Sequence, residues 1–304
     1  MTEKAIAVEH LEKAYGRHKV LRGLSFSVAQ GEAFALLGVN GAGKTTAIEC
    51  IEGLRRPDGG RLTVGGHDVL QSLSSVQKIL GVQLQSTSLS ETITAKEAMH
   101  LFCAWHRAPF RSDLLQRFDM AGEYLNKSYA NLSTGRKRRL HLALALCHNP
   151  RVLILDEPTA GLDVEGRHAL HSEIRKLKAE GVSILLATHD MDEAEKLCDT
   201  IAILHGGVIA EQGSPRELTA GADIQSRVII KTRNHSLRSF TPAGTPPPEA
   251  LEDDYLSYAC PDAAALLLAL LGFIKAQADS VVDLRVERAS IEDLFLTVAG
   301  GQVS

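Results

Sequence analysis

A short apolar run that leads directly into a glycine-rich turn is the feature that most constrains how this chain folds. The run Ala33 to Leu37 has the uninterrupted apolar character of a strand buried on both faces. The turn that follows, residues 38–46, reads Gly-Val-Asn-Gly-Ala-Gly-Lys-Thr-Thr, and helical patterning with Ile48 and Ile51 comes next. Because apolar runs and amphipathic stretches alternate up to about residue 220, the sequence predicts an α/β fold around a mostly buried sheet.

Residues 38–46, called the phosphate loop below, have the composition of a P-loop. Glycines allow the backbone N–H groups to turn inward around an anion, and the new helix adds its positive N-terminal end. Lys44 can reach the β- and γ-phosphates of a nucleotide, and the Thr45 hydroxyl can ligate Mg²⁺. A chance glycine-rich turn is the alternative, and the flanking strand and helix argue against it. The predicted nucleotide contacts of the loop are Asn40, Gly41, Ala42, Gly43, Lys44, Thr45 and Thr46.

A second apolar run ends in two acids. Val152 to Leu155 is followed by Asp156 and Glu157, and Pro158 prevents the strand from continuing. Adjacent carboxylates at a strand end point in different directions and can therefore have different roles. Asp156 is predicted to bind Mg²⁺ beside the phosphates, and Glu157 to polarise the attacking water as general base. Acids often do no more than terminate a strand, so this prediction depends on the phosphate loop that precedes it.

A third segment, residues 131–140, narrows the class of nucleotide-hydrolysing protein. It reads Asn-Leu-Ser-Thr-Gly-Arg-Lys-Arg-Arg-Leu. It resembles the signature Leu-Ser-Gly-Gly-Gln of the ATP-binding cassette (ABC) family, and the resemblance covers about residues 5–220. It implies that Ser133 and Gly135 begin a helix that caps the γ-phosphate bound on a second, head-to-tail copy. The chain departs from the family pattern at Thr134 and Arg136, which leaves open a nucleotide-gated binding protein with little turnover.

Four single residues match the remaining parts of the family's site. Tyr15 matches the aromatic residue that stacks on adenine, and Gln85 the glutamine that senses Mg²⁺ and the attacking water. Asp163 matches the loop that crosses the dimer interface. His189 matches the switch histidine, which would hydrogen-bond the γ-phosphate and position Glu157. The alternatives are an ordinary surface tyrosine and a structural strand-end histidine, while Gln83 is a possible decoy for Gln85.

The domain organisation follows from shifts in composition. Residues 1–220 are predicted to form the nucleotide-binding domain, with a helical subdomain inserted at about residues 91–131. Residues 221–304 are predicted to form a small C-terminal α+β domain. The segment that begins at Ser290 and ends near Leu296 resembles the tail of cassette subunits from two-chain bacterial drug, antibiotic or lipid exporters. A generic stabilising or dimerising module is the alternative.

Charge and cysteine content restrict the partners. The chain has 33 Lys and Arg against 37 Asp and Glu, so there is no overall basic excess and we expect no nucleic-acid partner. The five cysteines are far apart and are predicted to be free buried thiols in a reducing cytosol. Histidines other than His189 are predicted to form no ligand group with cysteines or acids. The longest apolar run, Ala263 to Ile274, is far shorter than the roughly 20 residues of a membrane span.

These observations predict the ATP-hydrolysing motor subunit of an ABC transporter. The expected cofactors are ATP and Mg²⁺, and the expected partners are a second copy of the cassette and a separate transmembrane permease subunit. The resemblance implies that the permease grips the cleft near Gln85 and the helical subdomain, at the cytoplasmic face of the cell membrane. Export is expected from the C-terminal tail. A soluble ABC ATPase that acts on ribosomes or DNA remains the alternative.

Overall fold

The computed structural model describes residues 3–84, 89–221, 226–287 and 290–300. The chain divides into two compact units, residues 1–215 and 216–304, and each is described by itself. The domain boundary predicted after residue 220 falls inside the helix Pro215–Gly221, and the predicted domain limits stay predictions.

The larger unit is built on a six-stranded sheet. In spatial order its strands are β10 (Val208–Gly213), β9 (Thr200–His205), β3 (Ala33–Leu37), β8 (Ser183–Thr188), β7 (Val152–Asp156) and β6 (Leu80–Gln83). Strands β3, β6, β7, β8 and β9 run parallel, and the edge strand β10 pairs with β9 in the antiparallel sense. Every residue of β3, β7 and β8 is buried, as expected for strands covered on both faces.

A second, antiparallel sheet of four strands belongs to the same unit. Its spatial order is β2 (His18–Ala29), β1 (Lys4–Tyr15), β4 (Gly59–Val64) and β5 (His67–Asp68). Leu24 of this sheet, Leu36 of the six-stranded sheet and Ile48 of the first helix lie in one buried cluster. The phosphate loop is therefore held between two sheets that share a core.

Helices complete the larger unit. They are α1 (Lys44–Ile51), α2 (Leu73–Ile79), α3 (Ala95–His106), α4 (Ser112–Arg117), α5 (Thr134–Ala145), α6 (Val164–Ala179), α7 (Met191–Leu197) and, spanning the division, α8 (Pro215–Gly221). Thr94 begins α3 with a capping box, because its hydroxyl accepts from the Glu97 N–H while the Glu97 carboxylate accepts from the Thr94 N–H. Two 3₁₀ turns at residues 122–124 and 129–131 lead from α4 to α5.

The smaller unit has an antiparallel sheet with the order β12 (Glu249–Ala250), β13 (Leu256–Cys260), β11 (Ser226–Thr232) and β14 (Val281–Glu287). Helix α9 (Ala263–Ala276) packs on it through Leu266 and Leu270, which meet Val228 and Tyr258 in a separate buried cluster. Helix α10 (Ile291–Gly300) ends the described chain. The predicted α/β fold with a small α+β appendix is confirmed. Among the described helices, none combines the length and apolar character needed to cross a membrane.

Candidate nucleotide-binding site

The phosphate loop joins β3 to α1 as the sequence predicts, and glycine is required at its last turn. Gly43 has a φ of +111° and caps α1, in a conformation that side-chain-bearing residues rarely adopt. A Cβ at this position would lie 2.8 Å from Leu21 Cδ2 and 3.3 Å from the Val20 carbonyl oxygen. Asn40 and Gly41 are exposed at the tip, Ala42 is buried, Thr45 is exposed and Thr46 is half-buried. The loop is thus anchored by packing below and open above.

Lys44 is folded back onto its own loop. Its Nζ donates to the carbonyl oxygens of Gly38 at 2.7 Å and Val39 at 3.3 Å, and lies 3.6 Å from Glu157 Oε1. Burial lowers the pKa of Lys44, while the charges of Glu157 and Asp156 oppose that change. An ammonium group that is held among oxygen atoms in this way can exchange these hydrogen bonds for hydrogen bonds to a phosphate.

Asp156 and Thr45 form the next part of the site. The Thr45 hydroxyl donates to Asp156 Oδ2 at 3.4 Å, and Asp156 Oδ1 is buried without a hydrogen-bond partner among the described residues. Burial, and then the charge of Glu157, raises the pKa of Asp156 to about 6. A buried, unpaired carboxylate oxygen beside a hydroxyl is the kind of donor set that Mg²⁺ prefers. These two residues therefore fit the predicted metal site.

Glu157 faces different partners from its neighbour. Its φ of +48° is in the left-handed region, which is uncommon for a residue with a side chain and concentrates at functional sites. Its Oε1 faces Lys44, whereas its Oε2 lies 2.7 Å from His189 Nδ1. The Glu157 side chain is 7% exposed and that of His189 is 54% exposed. The pair thus connects the buried lysine to a histidine at the surface.

The predictions for Gln83 and Gln85 have different outcomes. Gln85 lies outside the described residues, so its role in sensing Mg²⁺ and water stays a prediction. Gln83, treated at the sequence level only as a decoy, is 1% exposed and pairs in register with Leu155, one residue before Asp156. Neither atom of its amide has a hydrogen-bond partner within the described part of the chain. Since an unpaired buried amide is costly, Gln83 is a candidate site residue that sequence reasoning missed.

Ser133, Gly135 and Asp163 come together on a separate surface. Ser133 caps α5 by accepting from the Arg136 N–H, and Asp163 caps α6 by accepting from the Gly166 N–H at 2.8 Å. Both helix starts line one open cavity of about 360 Å³, called the signature surface below. In the described ranges no hydrogen bond or ion pair joins Ser133, Gly135 or Asp163 to Lys44, Asp156 or Glu157.

The departures at Thr134 and Arg136 have a local explanation. The Arg136 guanidinium lies 3.4 Å from the Tyr124 ring centroid and donates to the Asp119 carbonyl oxygen at 2.8 Å. Arginine at this position therefore ties α5 to the turn that precedes it. Thr134 packs near Gly161, because its methyl group lies 3.6 Å from the position that a Cβ on Gly161 would take. Neither substitution fills the position of Gly135, where a Cβ would lie 3.7 Å from Leu162 Cδ2.

Tyr15 ends β1 with 41% of its surface exposed. The Arg55 guanidinium lies 5.0 Å from its ring centroid, a cation–π contact between the end of β1 and the turn after α1. An exposed aromatic ring at this place is available for stacking, and its assignment to adenine stays a prediction.

One expectation about histidines and cysteines is wrong. The sequence was predicted to contain no ligand group of histidine with cysteine, but His106, Cys147 and His148 lie together, with one ligand atom of each within 4.8 Å of the others. Linear spacing did not reveal this group because α3 carries the first residue and the turn after α5 carries the other two. All five cysteines are buried and free, as predicted.

The geometry of the site identifies the class of protein. A strand–phosphate loop–helix unit, an Asp-Glu strand end and a helical insert with its own capped helix start define a P-loop ATPase cassette. The sequence profile of the ABC transporter family matches residues 21–160. The daunorubicin resistance ATP-binding protein DrrA3 of Streptomyces coeruleorubidus is 34% identical over 99% of this chain and 97% of its own length.

Other similar proteins are also ATP-binding components of transporters or parts of an ABC transporter complex. The Nod factor export ATP-binding protein I of Ralstonia nicotianae is 33% identical over 98% of this chain and 94% of its own length. The solved structure of an ATP-binding subunit of an ABC transporter is 30% identical with a TM-score of 0.66, over 71% of this chain and 92% of that chain. The structure of cbiO1 from Clostridium perfringens, part of an ABC transporter complex, is 28% identical with a TM-score of 0.65, over 72% and 91%.

The chain belongs to the ABC transporter family. It is an ATP-binding subunit of a transporter and an ATPase, which confirms the predicted activity and favours it over a ribosome- or DNA-acting ATPase. Its nucleotide is ATP, and cassettes of this family act as dimers together with transmembrane subunits.

Proposed function

We propose that two copies of this chain close head to tail around two ATP molecules and drive export by a separate permease. One observation carries the proposal. Lys44, Asp156, Glu157 and His189 are assembled within one chain. Ser133, Gly135 and Asp163 line a separate open cavity, and within the described part of the chain they form no hydrogen bond or ion pair with the first group. A second copy that brings its signature surface to the phosphate loop would complete the site.

The chemistry is positioning and charge neutralisation around the γ-phosphate. Lys44 and the loop amides hold the phosphates, and Thr45 and Asp156 are the residues that would hold Mg²⁺, with Gln85 as a further predicted contact. When bound, Mg²⁺ neutralises the charge of the phosphate oxygens. Glu157 takes the proton from the attacking water, and the 2.7 Å contact with His189 Nδ1 fixes the orientation of its carboxylate.

The permease is proposed to dock in a groove beside the helical subdomain. This groove has a volume of about 360 Å³ and is lined by Leu54 after α1, by Phe102, Trp105 and His106 of α3, and by residues 80–82. Trp105 is 82% exposed and Leu54 69% exposed. Large apolar side chains that flank a groove mark protein contacts, and tryptophan is a frequent energetic anchor. The groove is referred to below as the docking groove.

The direction of transport is proposed from relatives that cover both units. One relative is named for drug resistance and another for export of Nod factors, and both match almost the whole chain. The subunit would then lie at the cytoplasmic face of the cell membrane, held there by the permease. The chain has no overall excess of basic residues, so we propose no nucleic-acid partner.

Co-purification from detergent-solubilised membranes tests the permease. We expect the chain to retain a multi-span membrane protein, identified by mass spectrometry, and ATP hydrolysis to change when that protein is present. Trp105→Ala with Leu54→Ala should abolish its retention while leaving nucleotide binding unchanged. Leu268→Ala, on the exposed face of α9, is the matched control. Equal retention of the permease by the double variant would contradict docking in this groove.

A further inference from the structure

A group of metal-ligating side chains lies on the wall of the docking groove, away from the nucleotide site. His106 is the last residue of α3, and Cys147 and His148 follow the end of α5. Helix α3 packs against α5, which brings the three side chains together. His106 and His148 are half-buried and line the groove, while Cys147 is buried behind them. None of them has a part in the proposed chemistry of ATP hydrolysis.

The hydrogen bond of His148 fixes which ring nitrogen is free. Its Nε2 lies 3.2 Å from the Leu80 carbonyl oxygen, which can only accept, so Nε2 carries the proton. With Nε2 protonated in the neutral ring, Nδ1 holds a lone pair. Metal-bound histidines commonly donate their other N–H to a backbone carbonyl in this way.

The free nitrogen faces the thiol. His148 Nδ1 lies 3.8 Å from Cys147 Sγ. For tetrahedral Zn²⁺, with Zn–S about 2.3 Å and Zn–N about 2.0–2.1 Å, the sulfur and nitrogen ligands are about 3.6 Å apart. The two atoms are therefore already near the separation that zinc requires.

His106 is poised to supply the third ligand. Its ring is stacked on that of His148, with centroids 3.9 Å apart and an angle of 3° between the planes. Rotation of this half-buried ring by its side-chain torsions would turn a nitrogen towards Cys147 and His148 without moving α3. The adjustment needed is small, because the three ligand atoms already lie within 4.8 Å of one another.

We propose that His106, Cys147 and His148 form a Zn²⁺ site whose fourth position opens into the docking groove. Two imidazoles and a thiolate select zinc and softer transition metals over Mg²⁺ or Ca²⁺. On binding, the Cys147 sulfur forms a bond to the ion and its proton is released to solvent, so no oxidant or reductant takes part. Without an ion, the thiol donates a hydrogen bond to His148 Nδ1.

Optical titration of the full-length, untagged, metal-free chain tests this site. Co²⁺ is the probe, with Zn²⁺ as competitor. We expect one equivalent of Co²⁺ to produce a thiolate-to-metal absorption band in the near ultraviolet, and one equivalent of Zn²⁺ to remove it. His106→Gln and Cys147→Ser should each weaken binding at least tenfold. Cys50→Ser and His100→Gln, which change a buried thiol and another α3 histidine, are the matched controls and should leave it unchanged.

Two results would overturn the proposal. One is no saturable Co²⁺ or Zn²⁺ binding at micromolar metal, which would leave a thiol–imidazole hydrogen bond only. The other is equal metal binding by wild type and by His106→Gln. Circular dichroism, which should be the same for both chains, separates a lost ligand from a misfolded variant. Nucleotide binding and permease retention are measured separately, so the failure of this site leaves the proposed function intact.

Discussion

The nucleotide centre and the signature surface of this chain are built in opposite ways. At the nucleotide centre, Lys44, Asp156 and Glu157 are buried and contact groups within the same chain. At the signature surface, Ser133 and Asp163 are exposed and their side chains cap their own helices beside an open cavity. The first region is organised before any ligand binds, and the second offers helix N-termini to a ligand that the chain itself does not supply.

This difference separates binding from hydrolysis. Changes at the nucleotide centre should alter affinity or chemistry in a single chain. Changes at the signature surface should leave the ATP affinity of the single chain intact. They should reduce only ATP hydrolysis and dimer formation, which require two copies.

Glu157→Gln should reduce ATP turnover by about 10²–10⁴, because the carboxylate that accepts the water proton is lost. Nucleotide affinity should stay the same, since the amide keeps the shape of the side chain. Steady-state phosphate release and equilibrium nucleotide binding measure the two quantities. Glu195→Gln, an exposed change on α7, is the control. Unchanged hydrolysis would remove Glu157 from the role of base.

Gly135→Asp should reduce turnover by about 10²-fold, because a carboxylate would face the phosphate that α5 is proposed to cap. The affinity of the isolated chain for ATP should not change. Gly135→Ala is the size control, since a Cβ there would lie in ordinary contact with Leu162, at 3.7 Å. A loss of ATP affinity in the aspartate variant would place Gly135 in the same centre as Lys44 and contradict the separation.

Lys44→Ala should weaken ATP binding by about 10–100-fold, the value of a charge-assisted hydrogen bond to phosphate. Calorimetric titration with the non-hydrolysed nucleotide provides the measurement. Lys78→Ala, an exposed lysine of α2, should bind as the wild type does. Normal affinity in Lys44→Ala would contradict the assignment of the phosphate loop.

Tyr15→Ala should weaken ATP binding about tenfold through the loss of one stacked base. Tyr15→Phe keeps the ring and should bind almost normally. The same titration with a triphosphate lacking the base should show no difference between these variants. If the alanine variant lost affinity for that compound too, Tyr15 would act on the phosphates or the fold and not on adenine.

Glu52→Gln should stabilise the nucleotide-free chain at pH 7.5 by about 1–3 kcal/mol, a rise of several degrees in Tm. Burial, and then the charges of Asp156 and Glu49, raises the pKa of Glu52 from 4.5 to about 8. Between those values the unfolded chain releases a proton that the folded chain retains, so rising pH favours unfolding.

The gain from Glu52→Gln should therefore shrink as the pH falls towards 5. Thermal melts at pH 5 and pH 7.5 compare the two conditions, with the exposed Glu91→Gln as control. An equal gain at both values would show that the effect comes from packing and not from the proton.

Local chain order determines the parts of the site that the residues alone predicted, whereas Tyr15, Asp163 and His189 were assigned only by resemblance to the ABC family. Strand β3, the phosphate loop and α1 are consecutive, and Asp156 with Glu157 directly follows a buried run. The neighbours of Gln83 could not be predicted, because they depend on β6 lying beside β7. The group at His106 and Cys147 likewise depends on the packing of α3 against α5, which no spacing rule encodes.

Sedimentation velocity of the Glu157→Gln chain at saturating Mg²⁺ and ATP tests whether two copies share the nucleotide site. We expect nucleotide to convert the monomer into a dimer, and the added Gly135→Asp change to keep the chain monomeric while it still binds ATP. A chain that binds the nucleotide with full affinity, yet stays monomeric at every protein concentration, would contradict a site shared between two copies.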